Sequence, residues 1–220
     1  MELTKDIFFE HETSITDDNW KVDLSYESSN AKNKKIELSK NNPIIQIANE
    51  DFYSAIRIDV TNNNGSTKSC ILSGIDGAFI LYPKSAKENE GQSIIIKDDT
   101  IILSLGFTLI CMNLNNLSIN WKIRPDMAEI FEFYDLEKDL LLRGEIGIHR
   151  IDLNGNIKWT FSARDIWVNT EGKKEVKIEN NAIRLFDWES NEYLIDFNGK
   201  IIEDKPFGMR KETQKKWWKW

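Results

Sequence analysis

Two histidines, His11 and His149, are the whole supply of imidazole for a general base or a zinc ligand in this 220-residue chain. His149 stands in His-Arg-Ile-Asp beside Ile146, Ile148 and Ile151, whose alternation slips between Ile148 and Ile151. A bulge there would aim the ring inward as a base or ligand; on a regular strand it is an ordinary side chain. A glycosidase-type pair of carboxylates would have to come from Glu129, Glu132, Glu145, Asp165 and Asp187, and nothing in their spacing selects two. Asp152-Leu153-Asn154-Gly155-Asn156 looks like the front of a calcium loop, yet its glycine comes two positions early and the twelfth position lacks glutamate. It reads as a hairpin turn. The chain has no Gly-x-Ser-x-Gly, no His-Glu-x-x-His, no phosphate-cradling glycine loop and no dinucleotide fingerprint. No catalytic residue, cofactor or metal ligand is therefore assigned.

The remaining chemistry-bearing group closes the chain. Trp217, Trp218 and Trp220 alternate with Lys215, Lys216 and Lys219, and Met209, Thr213, Trp217 and Trp220 sit at helical spacings. A short C-terminal helix follows. Trp217 and Trp218 would point about 100 degrees apart on it, so one narrow face cannot bury all three rings. The segment is expected to cap the preceding sheet, with these six residues as a partner-binding group the alternative.

Short strands must position all of this. From Asp139 to Phe161, Leu140 to Leu142 form an apolar run, and Ile146, Ile148 and Ile151, then Ile157, Trp159 and Phe161, recur near every second position. Asn154-Gly155 supplies the positive φ of a two-residue turn, and Asp152 can bond its backbone. The same plan recurs over residues 100–123 and, more loosely, 182–204. Trp121 and Trp159 lie 38 residues apart, and Asn154-Gly155 and Asn198-Gly199 lie 44 apart. A period near 40 built from three or four strands is how a propeller blade reads in sequence. Gly106 to Trp121 and Gly144 to Trp159 resemble the blades of quinoprotein-type and WD-type β-propellers, with a glycine before a strand and a turn leading to a strand that ends in tryptophan. The first copy departs at Asn115-Asn116-Leu117, which lacks the glycine, and the third has Ile201-Ile202 where tryptophan is expected. The resemblance implies architecture and no quinone or other cofactor.

The expected fold is all-β: antiparallel meanders in a propeller-like arrangement, with two packed antiparallel sheets as the alternative. Residues 1–91 form an N-terminal β region, 92–204 the repeated meanders and 205–220 a basic aromatic cap. Within the first region Trp20 to Tyr26, Ala55 to Val60, Ser69 to Ser73 and Ala78 to Tyr82 read as strands, and residues 43–82 are either a degenerate copy or a separate sheet. Glu129 to Tyr134 fits helix or strand and is read as strand because that keeps the repeat in step. Ile166 to Val168 reads as a short strand. Trp121, Trp159, Trp167 and Trp188 are expected between sheets. Three copies are too few to close an ordinary propeller, so further blades, an open pair of sheets or an oligomer must cover the edges.

Composition excludes several classes of function. Twenty-nine basic against 36 acidic side chains give a net charge of −7, which disfavours a general nucleic-acid binder. Residues 205–220 carry six basic side chains against Glu212 alone, leaving −12 on everything before them. No apolar run is long enough for a membrane span, and the opening residues lack the basic and small-residue pattern of a secretory signal. Cys70 and Cys111, each in an apolar strand, are expected as reduced core thiols, with a cytoplasmic address. The expected function is a non-catalytic protein-binding module with a basic partner. In size and charge the chain resembles the toxin-neutralising immunity proteins; a carboxylate-dependent hydrolase acting on carbohydrate is the alternative.

Overall fold

The computed structural model describes residues 11–26, 43–47, 54–85 and 90–207. The C-terminal helix and all six candidate partner-binding residues, Trp217, Trp218, Trp220, Lys215, Lys216 and Lys219, lie outside the described residues. The chain forms two units: Met1–Lys84 with Gln92–Arg124, and Ser85–Gly91 with Pro125–Trp220.

In the first unit, β1 (His11–Thr16), β2 (Trp20–Tyr26), β3 (Ile44–Gln46), β4 (Ser54–Asn62) and β5 (Thr67–Ile75) make one sheet in the order β1-β2-β4-β5-β3. The register sets Val22 opposite Val60, Leu24 opposite Ile58 and Tyr26 opposite Ile56, so the alternating apolar residues of both strands share one face. That face is buried. β3 pairs parallel with β5, so this sheet is mixed where the sequence suggested only antiparallel pairing. Residues 43–47 and 54–75 thus belong to a separate sheet. Ala78 to Tyr82 is irregular rather than a strand, although Leu81 is tied down through its N–H to the Tyr26 hydroxyl and its carbonyl to the Thr13 hydroxyl. The second sheet of this unit is a meander of β6 (Ile94–Lys97), β7 (Thr100–Leu105), β8 (Thr108–Asn113) and β9 (Ile119–Ile123). Cys70 is a free, buried thiol whose pKa burial pushes up to about 12, with Asp59 adding to the shift, and Cys111 is free and buried as well. Both thiols lie in the core, as expected.

The second unit holds two further meanders. One runs β10 (Ile130–Asp135), β11 (Asp139–Gly144), β12 (Gly147–Asp152) and β13 (Ile157–Ser162); the other runs β14 (Val176–Ile178), β15 (Ile183–Phe186), β16 (Glu192–Ile195) and β17 (Ile201–Lys205). Their core gathers Tyr134, Leu141, Ile148, Phe161, Val176, Leu185, Tyr193 and Ile195 around Trp167. Phe161, Trp167 and Tyr193 form an aromatic triangle with centroids 5.7 to 5.9 Å apart. Ile166 to Val168 is a link rather than a strand: once Trp167 fills the core between meanders, its backbone bonds outward, to the Glu145 carbonyl and from Trp188.

One hairpin plan repeats in all three meanders, and it is finer than the sequence pattern. The ladder slips at the same place each time: Cys111 faces Trp121 but Met112 faces Ile119; Arg150 faces Trp159 but Ile151 faces Ile157; Leu194 faces Glu203 but Ile195 faces Ile201. Each slip is a bulge of one extra residue on the last strand. Glu203, not Ile201-Ile202, is therefore the counterpart of the two tryptophans. The residue that opens the turn is Asn113, Asp152 or Asp196, and its side-chain oxygen accepts backbone N–H groups across the turn at 2.8 to 3.2 Å. These turns are longer than the two-residue form expected. Gly155 N–H bonds Asp152 and the Asp152 N–H bonds Asn156, with Gly155 at φ 83° and no positive φ at Asn154. Where the first meander lacks the glycine, Leu117 takes φ 60° itself and is buried, so core packing offsets the strain.

The outer strand of a meander exposes part of its apolar set. Ile157, Ile201 and Ile202 are exposed although alternation suggested burial, because a terminal strand has a neighbour on one side only.

Candidate functional site

The links at one end of the second unit are held by buried carboxylates. Asp126 follows Pro125 in the link to β10. Its Oδ1 accepts the N–H of Met127 at 2.7 Å, and its Oδ2 accepts those of Gly147 at 2.8 Å and Ile146 at 3.2 Å. One carboxylate thus clasps two links. The clasp needs glycine: a Cβ on Gly144 would lie 2.2 Å from Asp126 Oδ2, and one on Gly147 would lie 2.6 Å from His149 Nε2.

His149 points inward without the expected bulge: β12 pairs regularly through His149, and the ring is buried because β12 is covered on both faces. Its Nδ1 is 3.0 Å from Thr160 Oγ1, and its Nε2 is 3.6 Å from Asp126 Oδ2, beyond hydrogen-bond range. The carboxylate favours a proton on Nε2, leaving Nδ1 to accept from the threonine hydroxyl. The order hydroxyl, imidazole, carboxylate is that of a nucleophile relay. Asp126, however, is occupied by backbone amides, and the ring is separated from it by more than a hydrogen bond. The arrangement positions links.

Burial lowers the His149 pKa from its ordinary 6.5, against an opposing pull from Asp126. The unfolded chain therefore takes up a proton that the folded chain refuses, so stability is full above pH 6.5 and falls as pH drops below it. The unfolding free energy from urea denaturation is expected to fall between pH 7 and 5 with a slope of at most about 1.4 kcal/mol per pH unit from this residue. His149→Gln should flatten that slope; an unchanged slope would show the ring to be irrelevant to it.

The other expected carboxylates divide. Glu132 is buried, with its Oε1 accepting from Tyr134 Oη at 2.7 Å and Arg143 Nε at 2.9 Å, and Lys174 Nζ lies 3.4 Å from Oε2. Burial pushes its pKa up, but Arg143, Tyr134 and Lys174 outweigh that and leave it below the usual carboxylate range. A glycosidase acid needs the opposite shift. Asp187 is fully buried: it accepts the backbone N–H and side-chain amide of Asn191 and the Tyr193 hydroxyl, each at 2.9 Å. Asp165 accepts the Ile166 N–H at 2.8 Å, and the backbones of Glu129 and Glu145 bond each other. Among the described residues no three His, Cys, Asp or Glu side chains converge to hold a metal ion.

What these clasps present is apolar. Met127, next to Asp126, is 84% exposed; Trp188, next to Asp187, is 43% exposed; Ile146 is 40% exposed. Trp188 and Ile146 were expected inside, but both face out: Trp188 follows the buried Asp187, and the Ile146 backbone N–H bonds the buried Asp126. Backbone bonds string the links together: Glu145 N–H to the Glu129 carbonyl, Trp167 N–H to the Glu145 carbonyl, Trp188 N–H to the Ile166 carbonyl. Sequence reasoning had named Asp187 and passed over Asp126, Thr160 and Met127. The available signal was an aspartate before a large apolar residue inside a link, in Asp126-Met127 and Asp187-Trp188.

The class defined by these elements is an all-β protein of three four-stranded antiparallel meanders and one five-stranded mixed sheet. Its sequence matches no protein-family model and no curated protein. Among solved structures it is similar to AztD from Citrobacter koseri, with TM-score 0.46, 14% identity and coverage of 90% of this chain and 61% of that one. BamB from Moraxella catarrhalis gives TM-score 0.43 at 10% identity over 68% and 43% of the two chains. The Neurospora crassa Pan2 WD40 domain gives 0.40 at 12% over 52% and 37%. The chain spans about 37 to 61% of the length of these structures.

Proposed function

We propose that this chain is a non-catalytic protein-binding module whose partner meets the link end of the second unit. The observation that carries the reading is the exposure of Met127, Ile146 and Trp188 on links fixed by buried aspartates. Large apolar side chains on pre-ordered backbone bind with little ordering cost, and tryptophan is the commonest anchor of protein interfaces. The three links, residues 125–129, 145–146 and 187–191, contain Asp126, Glu129, Glu145, Asp187 and Glu189 and no lysine or arginine. A basic partner follows from that balance and from the net charge of −7. The finer reading, a cytoplasmic toxin-neutralising protein of the immunity type, identifies the partner as a basic toxin domain; its support is this charge and the free thiols of Cys70 and Cys111. Among the described residues no helix is long and apolar enough to cross a membrane.

The test is capture of a purified basic toxin domain by the full chain at low and raised salt. Trp188→Ala is expected to weaken capture by about 30-fold, the loss of a typical interface anchor, and raised salt to weaken it further. Capture indifferent to both Trp188→Ala and Met127→Asp would place the interface elsewhere.

A further inference from the structure

Three Asn-Gly pairs, Asn64-Gly65, Asn154-Gly155 and Asn198-Gly199, stand in hairpin turns with the asparagine exposed. Such a pair is the one most prone to lose its side-chain amide, because glycine has no Cβ to shield the nitrogen that follows the asparagine. That nitrogen must swing onto the side-chain carbonyl carbon, so a turn that holds the backbone fixed slows the reaction until it opens locally.

All three turns share one plan, and the β4–β5 turn of the five-stranded sheet thereby joins those of the meanders. The glycine N–H bonds the carbonyl of the residue that opens the turn, Asn62, Asp152 or Asp196, at 2.9 to 3.0 Å. The side chain of that residue accepts two further N–H groups. Asn62 Oδ1 takes those of Asn64 at 3.1 Å and Ser66 at 3.0 Å; Asp152 takes those of Asn154 and Asn156 at 2.9 Å; Asp196 takes those of Asn198 at 2.8 Å and Lys200 at 2.9 Å. Two turns are thus held by a carboxylate and one by a neutral amide, and hydrogen bonds to an ionised acceptor are roughly twice as strong.

The surroundings differ in the same sense. Asp152 is gripped again by the Asn156 side-chain amide, 3.3 and 3.0 Å from its two oxygens. The Asn198-Gly199 turn lies against Trp159: a Cβ on Gly199 would stand 2.8 Å from that ring, and the indole N–H donates to the Phe197 carbonyl at 2.9 Å. A Cβ on Gly65 would meet nothing within 4 Å.

We propose that Asn64 is a site of spontaneous deamidation in the folded protein and the fastest of the three. The Gly65 backbone nitrogen, its proton taken by hydroxide, bonds to the Asn64 side-chain carbonyl carbon. The carbon–nitrogen bond of the side-chain amide then breaks, ammonia leaves, and a cyclic succinimide remains. Water opens the ring at either carbonyl, giving aspartate or isoaspartate. The isoaspartyl product carries an extra backbone methylene between the two N–H groups that Asn62 holds, and a negative charge at the end of the hairpin.

The test is incubation of the full chain in mildly alkaline buffer made with water of the heavy oxygen isotope, followed by peptide mass spectrometry at each Asn-Gly pair. The same chain in concentrated denaturant gives the reference rates, which should be similar at all three. In the folded chain Asn64 is expected to react about tenfold faster than Asn154 and Asn198, the effect of a little over one kcal/mol in the energy of opening the turn. Asn62→Asp, which puts a carboxylate at the opening position, should slow Asn64 toward the other two. Equal rates in the folded chain, or a faster Asn154 or Asn198, would overturn the proposal. So would the same tenfold preference in denaturant, which would assign it to local sequence, or an Asn64 rate that Asn62→Asp leaves unchanged.

Discussion

Trp167→Ala is expected to lower the stability of the second unit by about 3–5 kcal/mol, the usual cost of truncating a buried tryptophan. Trp167 is fully buried, and Phe161 and Tyr193 pack on it at 5.9 and 5.8 Å. It also stands in a link without regular pairing, which its side chain anchors together with the bonds of Trp167 to Glu145 and Arg143 and of Asn169 to Asp187. Among the described residues its indole N–H has no hydrogen-bond partner, so the loss measured is packing. Trp167→Phe, which removes the orphan donor and keeps a ring, should cost far less, about 1–2 kcal/mol. Chemical denaturation followed by circular dichroism checks both. Equal losses from the two variants would show that the ring's size, and not the filling of an aromatic site, governs this core.

Arg143→Met should be the second largest effect, about 3 kcal/mol at neutral pH, because it strands a buried carboxylate. Arg143 does three things at once: its Nε bonds Glu132 at 2.9 Å, its Nη1 bonds the Trp167 carbonyl at 2.8 Å, and its guanidinium lies 4.8 Å from the Phe131 ring centroid. Lys174, at 3.4 Å from Glu132, keeps the loss at the lower end of the range for broken buried pairs. The pH dependence fixes the cause. Glu132 has a folded pKa below its ordinary 4.5, so its pairing contributes stability above that value, and the contribution is lost as pH falls through the folded pKa. The gap between wild type and Arg143→Met should accordingly narrow below pH 4.5, and Arg143→Met/Glu132→Leu should recover most of the stability at pH 7. A gap that stays constant with pH would assign the loss to the Phe131 and Trp167 contacts instead.

The Trp167 effect, like the proposed binding end, sits in a link where the sequence offered little. The repeated hairpins were legible because a strand with one covered face must alternate, and because a turn that needs positive φ favours glycine: Ile148, Ile151, Trp159 and Gly155 are enough to draw the meander. Reading Glu129 to Tyr134 as a strand followed from keeping step with that repeat, and β10 occupies Ile130–Asp135. The failures share a different origin. Trp188 and Ile146 are as apolar as Trp167 and Ile148, and hydrophobicity alone sent all four inside; what separates them is where the backbone of each link or strand runs relative to the core. Ile166 to Val168 looked like a strand because a run of apolar residues has the same composition whether it extends a ladder or plugs a core.

Local periodicity and turn chemistry therefore determined the all-β class, the three repeated meanders and the burial of the two cysteines in strands, since each depends on residues near one another in the chain. Tertiary structure alone decided that the slipped ladder puts Glu203 in the place of a tryptophan, that His149 lies between Thr160 and Asp126, and that three links 20 to 60 residues apart share one end. Those outcomes depend on which distant amides a buried carboxylate can reach. That is a matter of three-dimensional distance, which spacing along the chain does not encode.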